Sequence, residues 1–105
     1  MVVLSFLAML SSMYPQEIHA EGLIANELLN WTPQNQRFYI QTSITMAGVI
    51  ASQSDKEKAR CIDGWHQRQS EQQYASVVDA FRQYPAYHPQ GVILAFVQKA
   101  CGTMN

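Results

Sequence analysis

Apolar positions recur along this chain at three- and four-residue spacings, and nowhere do they alternate between hairpin turns. That periodicity belongs to helices. From Pro15 to Asn30, Ile18, Ala25, Leu28 and Leu29 fall toward one side, and Pro15 suits a first turn because its missing N–H has no partner there anyway. Thr32-Pro33 repeats the start signal, a hydroxyl cap followed by proline, and predicts a long helix over Pro33 to Ala51. Ser54 with Glu57, and Ser70 with Gln73, have capping-box spacing and predict two further starts. Between them Cys61, Ile62 and Trp65 make a narrow apolar stripe. Tyr74, Val77, Val78 and Phe81 then show the i, i+3, i+4, i+7 pattern of a core-facing helix that ends at Tyr84-Pro85. His88-Pro89 opens the last helix, whose Val92, Ile93, Phe96, Val97, Ala100 and Cys101 are the densest apolar run. Gly102 is its natural C-cap, and this helix is expected at the centre. The predicted fold is all-α, a compact bundle of about five or six short helices joined by short loops.

Residues 1–20 form an apolar N-terminal segment with two readings. Met1 to Met13 followed by Pro15 and Ile18-His19-Ala20 resembles a secretory signal cleaved after Ala20, although no Lys or Arg precedes the apolar stretch. The alternative is a docked helix, with Leu4, Leu7 and Phe6, Leu10, Met13 at helical spacing. A membrane anchor is the weakest option, since about 13 apolar residues fall short of the roughly 20 that span a bilayer. Residues 21–105 are then a single helical domain, because 105 residues bury one core and leave little room for a second.

Composition changes this picture in one respect. With 48% hydrophobic and only 14% charged residues, the polar surface is supplied by Gln, Ser, Asn and Thr, where a cytosolic helical protein ordinarily uses Lys and Glu. A net charge of −1 gives no electrostatic footprint for nucleic acid or an anionic membrane; Lys56, Lys58 and Arg60 are interleaved with Asp55, Glu57 and Asp63. Cys61 and Cys101, forty residues apart, suit one intramolecular disulfide, although two buried thiols in a cytosolic protein give the same count. With the bridge the expected compartment is periplasmic or secreted; without it, cytoplasmic. Closing such a loop contributes roughly 4 kcal/mol in the chain-entropy model.

Candidate chemistry is sparse. No Cys/His cluster has zinc spacing, so no metal is expected, and no nucleotide, hydrolase or zincin motif occurs, so no cofactor and no enzymatic activity are expected. Pairing Cys61 with His66 as nucleophile and base fails on direction, since positions five apart point about 140° apart around a helix. Cys101 with His88 fails because Cys101 ends its helix, where the dipole opposes a thiolate. Asn30-Trp31-Thr32 matches a glycosylation acceptor, but Thr32 is wanted as a cap. The partner-binding candidates are Trp31, in an interhelical loop, and Tyr84, Tyr87 and His88 in the proline-rich connector Tyr84 to Gly91. Rigid aromatic loops lose little ordering entropy on binding.

Cys61-Ile62-Asp63-Gly64-Trp65, a helix ending in Tyr84-Pro85, then His88-Pro89 and an apolar helix closing at Cys101 resemble a group of small periplasmic helical proteins of Gram-negative bacteria. In that group a Cys-x-x-Gly-aromatic segment is bridged to a cysteine at the end of the last helix. It includes type VI secretion immunity proteins that neutralise cell-wall amidases; the acid-stress periplasmic chaperones are similar in size and single-disulfide plan. The resemblance covers residues 45–102, and the cysteine spacing is shorter than is usual for the immunity proteins. It implies a non-enzymatic protein-binding protein of the bacterial envelope, an immunity-type inhibitor whose partner is another protein. A structural or accessory subunit of an envelope complex, and an acid-stress chaperone, are the alternatives. A homodimer is expected if the Val2 to Met13 face stays exposed.

Overall fold

The computed structural model describes residues 22–104. Five helices run through them: α1 (Ala25–Leu29), α2 (Pro33–Ser52), α3 (Lys56–Glu71), α4 (Ala75–Gln83) and α5 (Pro89–Cys101). There is no strand among the described residues. Two of the starts follow the capping chemistry of the sequence. The Thr32 hydroxyl accepts the Asn35 N–H at 3.2 Å, so this threonine is a cap with Pro33 behind it. Nδ1 of His88 accepts the Gln90 N–H at 3.1 Å and opens α5 in the same way.

Three expectations are corrected. The helix expected over Pro15 to Asn30 does not run unbroken through its described part: Ile24 is extended, with φ −117° and ψ 157°, and Ala25–Leu29 is helical after it. The Ala25 and Asn26 N–H groups donate to the Tyr87 and Pro85 carbonyls at 2.8 and 2.9 Å, so the start of α1 is set by the far connector. The part of that helix before Gly22, with Pro15 and Ile18, and the whole Met1 to Met13 stretch lie outside the described residues. Next, the cap of α3 is Asp55, whose carboxylate accepts the Lys58 N–H at 3.0 Å, one residue beyond the expected Ser54. An aspartate at this position also opposes its charge to the positive helix end. Finally, Ser70 caps nothing. It lies in the last turns of α3, where its hydroxyl donates to the Gln67 carbonyl at 2.9 Å, and α4 begins only at Ala75. Gln73 and Tyr74 intervene with left-handed φ values of 55° and 60°, and the Tyr74 N–H closes on the Gln69 carbonyl at 2.8 Å.

Leu28, Ile40, Ile44, Ile62, Val77, Phe81, Val97 and Pro89 are the largest fully buried side chains, with Trp65, Tyr74 and Ile93 nearly so. Each contributes about 1.5–3 kcal/mol of burial where the side chain is aliphatic or phenyl. α2 lies along α3, with Gly48 facing Ile62 and Asp63 so closely that a Cβ there would sit 3.4 Å from the Asp63 carboxylate. α5 packs on α2, α3 and α4, and α1 packs on α4. The disulfide forms between Cys61 and Cys101, with Cα atoms 5.7 Å apart, stapling the end of α5 to α3. Lys58 of α3 adds a hydrogen bond to the Thr103 carbonyl beside it, and Gly102 ends the helix at φ 93°.

Candidate functional site

α5 is the central helix only on three sides. Its outward side leaves Gly91, Leu94, Ala95 and Lys99 exposed, and an open groove runs along each flank. The groove between α4 and α5, about 540 Å³, is lined by Ala80, Gln83, Tyr84, Tyr87, Gly91, Val92, Ala95, Phe96 and Lys99. Nothing lies within 4 Å of the place where a Gly91 Cβ would stand, so the glycine leaves this groove open. The groove between α2 and α5, about 670 Å³, is lined by Tyr39, Thr42, Ser43, Met46, Ala47, Ile50, Gln90, Ile93, Leu94, Val97 and Met104. None of these residues carries a charge.

The two connector tyrosines are brought together. Tyr84 and Tyr87 stack edge to face with centroids 5.5 Å apart, exposed at 49% and 63%. Their backbone is held by the α1 hydrogen bonds to Pro85 and Tyr87 and by the Tyr87 N–H to the Tyr84 carbonyl. The rings therefore stand on a fixed loop, and among the described residues neither hydroxyl has a hydrogen-bond partner. His88 does not join them as a free ring, because Nδ1 is used in capping α5. Trp31 stands apart from them: 40% exposed, it packs edge-on at 5.8 Å against Tyr39, which lines the α2/α5 groove. The Gln90 amide donates to the Ser43 hydroxyl at 2.8 Å, and burial pushes the pKa of the nearby Tyr39 phenol upward, with the Gln90 side chain partly opposing this. The four sequence candidates thus divide between two faces, with the first turn of α5 between them. A scan against protein-family models and searches of curated proteins and of solved structures find no match to this chain.

Elsewhere, both cysteines are consumed in the bridge, so neither is free as a nucleophile. No three of His, Cys, Asp and Glu gather in a metal-holding group among the described residues, and no helix there is long and apolar enough to cross a membrane. His66 Nε2 lies 2.8 Å from the hydroxyl of buried Tyr74. Burial lowers the His66 pKa and Asp63 partly opposes this, while burial raises that of Tyr74. The pair locks the α3–α4 turn.

Sequence periodicity missed the outward side of α2. Phe38, Met46, Val49 and Ile50 are 63%, 57%, 50% and 53% exposed. The available signal is the absence of any charged residue between Arg37 and Asp55. A helix with no charged residue over most of its length marks its solvent side less sharply than one with a charged face.

Proposed function

We propose that this chain is a non-enzymatic protein-binding domain of the bacterial envelope, acting as an immunity-type inhibitor that holds another protein through the α4/α5 groove. The observation that carries the reading is the Tyr84–Tyr87 pair, fixed by backbone hydrogen bonds at the mouth of an open apolar groove. Tyrosine supplies large contact area at low entropy cost and a hydroxyl for the partner's polar groups, which suits a face that must be soluble when free. Val92, Ala95 and Phe96 offer the apolar floor, and Lys99 is a single cation at the groove's far end. The Cys61–Cys101 bridge supports an oxidising compartment, where disulfides persist. The Cys-x-x-Gly-aromatic segment bridged to the end of the last helix supports an amidase as the target.

The test is binding to and inhibition of purified cell-wall amidases of type VI secretion systems, measured with the wild type and with Gly91→Leu. The substitution fills the groove from a position with open space and normal helical φ, so thermal stability should hold or rise by up to about 1 kcal/mol. Wild-type chain should bind and inhibit, and Gly91→Leu should weaken binding at least tenfold. An amidase unaffected by the wild type, or turnover of a small molecule by the purified chain, would sink the proposal.

A further inference from the structure

The side of α2 turned away from the core carries Phe38, Thr42, Thr45 and Val49, all exposed, at i, i+4, i+7 and i+11 on one line along the helix. Met46 and Ile50 stand beside that line and lead into the α2/α5 groove, where Leu94 is the opposite wall. Among the described residues, every exposed large side chain without a polar atom apart from the methionine sulfur lies on this one face; the other exposed large hydrophobics are Trp31, Tyr84 and Tyr87. Thr42 turns its hydroxyl back to the Phe38 carbonyl, so its methyl is the outward group.

We infer that this face is the interface between two copies of this chain, packed antiparallel along α2 about a two-fold axis. Phe38, Met46, Val49, Ile50 and Leu94 around the two threonines make it more apolar than ordinary surface, as homodimer interfaces are. Its charge also fits a copy of itself. In a two-fold contact each patch meets the same patch, so a cluster of one sign repels itself, and this face has no charge between Arg37 and Asp55. The register closes as well. An axis passing between Thr42 and Thr45 sets Phe38 against Val49 of the second copy and Thr42 against its Thr45, with both contacts occurring twice. A face about 30 Å long and two helices wide, roughly 20 Å, covers about 600 Å² per partner, about 1,200 Å² in total, the lower end of the range for stable protein–protein interfaces.

This inference does not rest on the inhibitor reading, and its readout needs no other protein. Sedimentation equilibrium of the full chain over the micromolar range should give a dimer. Phe38→Lys and Val49→Glu, each on an exposed helical position, should each give a monomer with unchanged helical circular dichroism. Mixing the two variants should restore a dimer, because the ammonium introduced in one copy then meets the carboxylate introduced in the other, while the second contact remains Val49 on Phe38. A monomeric wild type overturns the proposal, whether residues 1–13 of the same chain or another protein then covers the face. Dimers that persist in both variants overturn it too, since they would be made elsewhere, and failure of the mixed pair overturns the antiparallel register.

Discussion

The two grooves that flank α5 share one wall and differ in almost everything else. On the α4 side the groove opens beneath two exposed tyrosines and has a lysine in its lining. On the α2 side it is uncharged, mostly apolar and continuous with a stripe of exposed Phe, Met, Val and Ile. One side can stand in water until a partner arrives, and the other cannot do so cheaply. On the two proposals made above, the tyrosine groove would serve recognition and the apolar face self-contact, one on each flank of the last helix.

The largest perturbations should break the comparison by destroying one flank or both. Phe81 is fully buried in α4, and Phe81→Ala should cost about 3–5 kcal/mol in denaturant unfolding. Amide exchange should rise first in α4 and the Tyr84–Tyr87 connector, leaving α2 protected; equal loss on both sides would show that the two flanks are not separable. Opening the Cys61–Cys101 bridge by reduction, or by replacing both cysteines with alanine, should remove roughly 4 kcal/mol. The shared wall then loosens on both flanks at once, because the bridge and the Lys58 contact hold the end of α5.

Smaller changes sharpen the comparison. Gln73 is exposed and left-handed at φ 55°; Gln73→Gly should raise stability by about 1 kcal/mol, since glycine takes that conformation without strain. The gain should appear as slower exchange at the α3–α4 turn. The smallest effect is that of pH. Burial holds the His66 pKa below its unfolded value of about 6.5, so the unfolded chain takes up protons first as pH falls. Stability is therefore full above that pH and declines as pH drops through the lowered folded value. Thermal melts between pH 7.5 and 5 should show this slope, and His66→Gln should flatten it while leaving the α2 face unaltered.

Much of the fold was legible because certain residues leave the backbone few choices. Thr32-Pro33 and His88-Pro89 mark helix starts that proline forbids in a helix interior, and both occur as read. The cysteine pair and the apolar side of α5 likewise point to a bridge where two helices already pack. Ser70 misled because a serine followed three residues later by glutamine looks the same inside a helix as at its start; what ends α3 is the left-handed pair Gln73 and Tyr74, unusual for residues with a side chain. The short α1 was hidden because its first donors are met by the Pro85 and Tyr87 carbonyls, far along the chain. Tyr84 and Tyr87 were singled out from the connector's composition, whereas the α2 face was not. Periodicity marks apolar positions and cannot separate those that face the core from those that face a second molecule.

The most direct test of the division between the two flanks is sedimentation equilibrium of Val49→Glu beside Tyr87→Ala, both with native helical content. The account predicts a monomer for the first and an unchanged dimer for the second. A dimer in the first, or a monomer in the second, would contradict it.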